Sequence, residues 1–195
     1  MVVPPRTARR PGLAVALALP GVALAVAGLL HPTTLAPSTA PLWTTLHLVL
    51  LPLFPLLAVA LWVLLRGETG AVAWLARGSA YTYAVFYTAL DLLAGVAAGV
   101  VTQAVQGGSR AALDLRALGN DLGTVGSGAF LVAAALTAVL LHARHGRAAV
   151  PGAVLLVGGA VPFLSGHVHW PVGGLGVLAI GVGCGLLGLV SAQKG

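Results

Sequence analysis

Six stretches of the chain are almost wholly apolar, separated by short segments that hold most of its charges, prolines and polar residues. They run from Leu13 to Leu30, Leu42 to Leu65, Ser79 to Thr102, Leu122 to Leu141, Ala148 to Leu164 and Val172 to Val190. A helix that crosses a bilayer needs about 20 mostly apolar residues. The pattern therefore predicts an all-α, polytopic integral membrane protein, a six-transmembrane-helix bundle in which residues 1–195 form a single membrane domain. The fifth stretch is the shortest and carries Pro162 near its end, so a tilted or partly re-entrant segment is its alternative. The one long connection, 103–121, should hold a brief amphipathic helix: Ser109 can cap it, Arg110 and Asp114 stand one turn apart, and Ala111, Leu115 and Leu118 share a face. It is expected to lie on the outer membrane surface, as a connector rather than a lid.

Lys and Arg orient the bundle. Arg6, Arg9, Arg10, Arg66, Arg77, Arg144, Arg147 and Lys194 fall on one side of the predicted topology, and only Arg110 and Arg116 on the other. Cytoplasmic loops hold the excess of cations, so the N and C termini should be cytoplasmic and the protein a multi-pass protein of the cell membrane. A basic start, an apolar run and the Ala25-Val26-Ala27 triplet also resemble a cleavable signal peptide; a retained first helix is the preferred reading.

Composition supports the same solvent. Only 7% of residues are charged and 58% are hydrophobic, against roughly 25% charged in a water-soluble domain. A chain of this size could not bury so much apolar surface in water, and disordered chains have the opposite composition. The formal charge of +6 forms no continuous basic stripe, so nucleic acid is not an expected partner; the lipid bilayer is. With one Cys and one Met, an internal disulfide is excluded and any metal would be held by nitrogen or oxygen. Small residues recur at four-residue spacing at Gly119, Gly123 and Ser127, at Gly95 and Gly99, and at Gly181 and Gly185, with Gly188 three further on. They read as close helix contacts, within one chain, in a homo-oligomer or in a larger membrane complex.

Polar groups inside the spans carry the candidate chemistry. Tyr83, Tyr87 and Asp91 follow each other at four-residue spacing and line one face of the third span with Gly95. Asp91 falls near mid-bilayer, where an ionised carboxylate costs at least about 2.5 kcal/mol, and no Lys or Arg lies in a span to pair with it. A neutral carboxyl donating to the Leu51 carbonyl, left free by Pro55, is the expected arrangement. Helical rise places His47 about 8 Å above Asp91, out of direct reach.

His31, His47, His167 and His169 all map to the outer edge of the bundle, a constellation that could hold a metal ion or, through His47 and one of His167 or His169, a b-type haem. Taken singly, each histidine is more readily structural. His142 and His145 flank cytoplasmic arginines and read as anchors. Phosphate-loop and nucleophile motifs are missing. Three classes of function follow: a metal- or haem-dependent enzyme, a small-solute or proton-coupled carrier that uses Asp91, and an accessory structural subunit of a larger membrane complex.

Overall fold

A computed structural model describes residues 11–106 and 108–192, and among them every regular element is helical. In order these are α1 (Pro11–Leu29), α2 (Ala40–Leu50), α3 (Leu53–Leu64), α4 (Ala71–Leu90), a π-helical segment (Asp91–Ala97), α5 (Ala98–Val105), α6 (Arg110–His145), a 3-10 turn (Gly146–Ala149), α7 (Val150–Gly166) and α8 (Val172–Ser191). Five continuous stretches are long and apolar enough to cross a membrane: Pro11–Leu29, Ala40–Leu64, Ala71–Val105, Arg110–Gly166 and Val172–Ser191. Their outward faces carry exposed Val15, Leu19, Trp74, Tyr81, Val139, Val154 and Val161, an apolar girdle that suits lipid and not water.

The last but one of these stretches is a hairpin. Gly146, with φ 62°, ends α6, and α7 runs back along it, so that Phe130 packs on Phe163 and the Ser127 hydroxyl reaches towards the Leu164 carbonyl. α7 is a regular helix through Pro162.

Other boundaries move for identifiable reasons. The second stretch is two helices with a break at Leu51–Pro52, because Pro52 and Pro55 offer no N–H to the preceding turn. The third begins at Ala71, well before Ser79. Arg77 fits inside it because its long stem carries the guanidinium to the carbonyls of Leu65 and Glu68 at the bundle end (2.7 and 3.0 Å).

The surface helix expected in 103–121 is a correction. Ser109 does cap a helix, accepting from the Ala112 N–H, but that helix is the start of α6 and runs on unbroken for 36 residues. Gly119 does not interrupt it, because its bare face meets Ala94 across the interface. At about 54 Å, α6 exceeds the hydrocarbon thickness of about 30 Å. Its first turns stand past the end of α7 and pack on the π-helical segment and α5.

Glycine brings the rods together within the chain. Gly21 lies against Gly181 and the Val177 carbonyl, Gly185 against Ala14 and Ala18, and Gly159 against the Gly176 carbonyl, so α8 nests between α1 and α7. At mid-bundle Phe54, Tyr83, Tyr87, Phe130 and Phe163 form one aromatic core. The two ends differ in charge. At one, Arg144 pairs with Glu68 at 3.1 Å, beside Arg66 and Arg77; the other holds His31, His47, His167, His169 and Arg116. Arg6, Arg9, Arg10 and Lys194 lie outside the described residues.

Candidate metal centre

Three features deliver the four histidines of the cluster. His31 follows the end of α1, His47 lies in the last turn of α2, and His167 and His169 occupy the turn between α7 and α8. That turn is held down by the Trp170 indole, which donates to the Ala25 carbonyl at 2.8 Å, and by Gly28, whose bare face lies against Val168. His167 has φ 47°, a left-handed backbone that costs a non-glycine residue about 1–3 kcal/mol and tends to mark functional positions.

α2 is seated on the π-helical segment and α5 by three contacts. Trp43 donates to the Ala94 carbonyl (3.2 Å), Gln103 to Thr44 (2.9 Å), and Gly95 leaves a notch filled by the His47 ring. A Cβ at Gly95 would collide with His47 Cδ2. Segments of π-helix inside α-helices occur frequently at functional sites, and this one opens with Asp91.

The four histidines form one ring cluster. The His31 centroid is 4.9 Å from His47, 5.8 Å from His167 and 4.5 Å from His169. Ligand atoms of His31, His47 and His167 all lie within 4.8 Å of one another. Their hydrogen bonds set the tautomers. His31 Nδ1 lies 2.8 Å from the Pro32 carbonyl and His47 Nδ1 2.7 Å from the Trp43 carbonyl. Carbonyls only accept, so both Nδ1 atoms carry the proton and, in the neutral rings, both Nε2 atoms present lone pairs.

Those two Nε2 atoms are 3.5 Å apart. Two lone pairs cannot hydrogen-bond to each other, but they can share a cation. For nitrogen ligands at about 2.0–2.1 Å in tetrahedral geometry, the ligand–ligand edge is about 3.4 Å.

His167 meets a hydroxyl in place of a carbonyl, a partner that can either donate or accept. Its Nδ1 is 2.7 Å from the Tyr87 hydroxyl, and its Nε2 is buried with no hydrogen-bond partner among the described residues. His169 Nδ1 and both Asp91 oxygens are likewise buried and unpartnered there. A native fold leaves few such atoms, and each asks for an explanation. Burial favours the uncharged imidazole: it pushes His31 down to about 4, against the opposing bond to Pro32, and holds His167 well below the usual range. His169 is lowered by burial and by the Arg116 guanidinium. Neutral rings keep their lone pairs free.

Asp91 lies beneath the cluster, with Oδ1 3.9 Å from His47 Nε2. That is too long for a hydrogen bond, yet much closer than the depth arithmetic allowed. His47 is level with Gly95, one turn from Asp91, and its ring spans the offset because Gly95 has no side chain. The expected bond to the Leu51 carbonyl is a correction: Asp91 has no hydrogen-bond partner among the described residues. Tyr83 turns to the Phe54 carbonyl at 3.1 Å and takes no part in the cluster, whereas Tyr87 does.

A cavity of about 480 Å³ adjoins the histidines, bounded by His47, His167, His169, Tyr87, Arg116 and Thr124 among others. Sequence reasoning missed Arg116, which looked like a topology charge. Its position one helical turn before Asn120, on the face that continues to Thr124 and Ser127, was the available signal. The His47 and His167 pair is not set as two axial haem ligands. Axial ligands point at each other across the macrocycle, while the His47 and His167 rings are stacked 9° from parallel at 6.1 Å, with His31 edge-on to both. Compared with known proteins, the chain matches no family model, no curated protein and no solved structure.

Proposed function

We propose that the chain is a six-span protein of the cell membrane, with cytoplasmic termini, whose outer end binds one divalent transition-metal ion through His31, His47 and His167. The hairpin of α6 and α7 supplies the sixth crossing when each arm is read as a span. The concentration of Arg66, Arg77, Arg144 and Arg147 at the opposite end supports the orientation.

One observation carries the metal reading: two buried imidazole Nε2 atoms, both committed as lone pairs by their Nδ1 bonds, face each other at 3.5 Å. Metal-bound histidines almost always give their other ring nitrogen to a carbonyl, carboxylate or comparable partner, and Pro32, Trp43 and Tyr87 are those partners here. All-nitrogen donors suit Zn(II), Cu(II), Ni(II) and Fe(II). Three protein ligands beside a cavity leave a fourth position open, the pattern of a catalytic and not a structural ion. Asp91 would stand close to the ion, with Oδ1 3.9 Å from His47 Nε2, and Tyr87 would hold the His167 ring.

Elemental analysis and an absorption spectrum of protein purified in mild detergent without chelator test the reading. The expected result is about one ion per chain, no Soret band, and loss of the ion in His47→Ala. Wild-type protein that neither retains a metal nor takes one up on titration with these four ions would overturn it.

A further inference from the structure

The cavity beside the histidines has a charge pattern of its own. Arg116 is the cation that lines it, and no carboxylate does. Among the described residues Arg116 has no carboxylate within ion-pair distance; its guanidinium sits 5.5 Å over the Trp43 ring. The acidic residues of α6 lie elsewhere, since Asp114 pairs with Arg110 at 2.9 Å and Asp121 is exposed outside the lining. Asn120, Thr124, Ser127 and Ser165 add an amide and hydroxyls to the same wall.

The place of the cavity matters as much as its lining. It opens where α7 ends at Gly166 while α6 continues past it, so its mouth lies between two helices and not on the bundle axis. The exposed residues of its lining are Asn120 and Thr124 of α6 and Leu164 and Ser165 of α7. A chamber that opens between two helices at the end of a membrane bundle can be reached by an amphiphile entering sideways as well as by a solute from water.

We propose that this cavity binds a phosphate group, gripped by the Arg116 guanidinium with the Asn120 amide and the Ser165 hydroxyl, and presents it to the histidine cluster. A guanidinium presents its donors in a rigid fork that matches the oxygens of a phosphate, and the Asn120 amide and the Ser165 hydroxyl can donate to the remaining oxygens, the Thr124 hydroxyl being given to the Asn120 carbonyl. The proposal deepens the metal reading and rests on it for the ion's share of the positive charge. Arg116 nonetheless makes its own contribution and is tested separately. A phospholipid headgroup and a free phosphate or soluble phosphate ester share this chemistry, and the side opening admits either.

The test uses the full chain in dodecyl maltoside, which carries no phosphate, with metal content measured on every sample. Inorganic phosphate and dihexanoyl phosphatidate are titrated and followed by phosphorus NMR line broadening and equilibrium dialysis. The expected result is saturable binding that weakens at least tenfold in Arg116→Gln, with metal content unchanged, and that is unaltered in Arg110→Gln, whose charge lies outside the cavity. Tighter binding of phosphatidate than of phosphate identifies the lipid source, and the reverse order identifies the soluble one.

Absent binding of both probes, or equal weakening in Arg110→Gln and Arg116→Gln, overturns the proposal. If the wild type neither holds a metal nor takes one up on titration, the metal reading fails on that count alone. Arg116-dependent phosphate binding in the same sample would still uphold the anion site, and its absence would sink that too.

Discussion

His31 and His47 meet through their Nε2 atoms at 3.5 Å while each Nδ1 is occupied by a backbone carbonyl, of Pro32 and of Trp43. His31 follows the end of α1 and His47 lies in α2, and neither ring can turn to offer a proton without giving up a short bond. Facing lone pairs repel unless a cation lies between them. A substitution that keeps the aromatic packing but removes one lone pair should therefore abolish binding without unfolding the bundle. His31→Phe is expected to lower metal affinity by more than the roughly 10–100-fold typical of losing an outer partner. Competition with a chelator of known affinity measures this, and unchanged affinity would exclude His31 as a ligand.

Tyr87 and Tyr83 stand one turn apart on the same face, yet they should respond differently. The Tyr87 hydroxyl holds His167 Nδ1 at 2.7 Å, whereas Tyr83 donates to the Phe54 carbonyl. Tyr87→Phe is expected to weaken metal binding about 10–100-fold. Tyr83→Phe should leave metal binding unchanged and cost about 1 kcal/mol of stability, the worth of one buried hydrogen bond. Equal effects of the two substitutions on metal affinity would contradict the division of labour.

Much of this arrangement was legible in the chain because lipid makes polar side chains costly. His31, His47, His167 and His169 were separable from His142 and His145 by topology alone, and they do come together at one end. Tyr87 and Asp91 were readable as an inward face for the same reason.

Axial distance was not readable, because it depends on where helices bend and on which residues lack a side chain. The π-helical segment after Leu90 has no hydropathy signature, and the notch at Gly95 brings His47 to within 3.9 Å of Asp91. Nor did a window of apolar residues reveal that α6 begins at Arg110, since its first turns are polar and find their partners on α5 and the π-helical segment. Arg116 was missed for that reason.

Gly95 offers a direct probe of that notch. A methyl group there would collide with the His47 ring, whereas Gly128 in α6 has open space at the same position. Gly95→Ala should cost about 1–3 kcal/mol, the range for overpacking a filled site, and should weaken metal binding by displacing His47. Gly128→Ala should be close to neutral on both counts. Thermal unfolding in detergent and chelator competition read the two effects separately, and a Gly95→Ala protein with full metal affinity would show that the notch does not position the ligand.

Acid should loosen the metal-free protein. His31 stays neutral in the fold down to about pH 4, while in the unfolded chain it takes a proton near 6.5. Between those values unfolding takes up a proton, so stability falls as pH drops from 6.5 towards 4 and levels off below. The slope from one histidine is at most about 1.4 kcal/mol per pH unit. His167 and His169 act in the same direction, and His47 and Arg116 complete the set of groups around them. The Tm of metal-stripped protein should therefore decline from pH 7 to 4.5, less steeply in His31→Phe. A flat profile would mean that His31 is not held neutral by burial.

The orientation and the number of crossings can be settled with engineered thiols. Cys184 is the only cysteine in the chain and is fully buried, so Cys184→Ala gives a background that a maleimide does not label. Ser38 lies at the histidine end, while Thr69 and Ala148 lie at the arginine end, and all three are exposed. A membrane-impermeant maleimide added to intact cells should label Ser38→Cys. Thr69→Cys and Ala148→Cys should react only after permeabilisation. Because Ala148 sits in the turn between α6 and α7, its protection together with labelling of Ser165→Cys, at the far end of α7, would require α7 to cross on its own and α6 to cross before it. Labelling of Ala148→Cys from outside would instead leave the hairpin on one side of the bilayer, and labelling of Thr69→Cys in place of Ser38→Cys would turn the histidine cluster towards the cytosol.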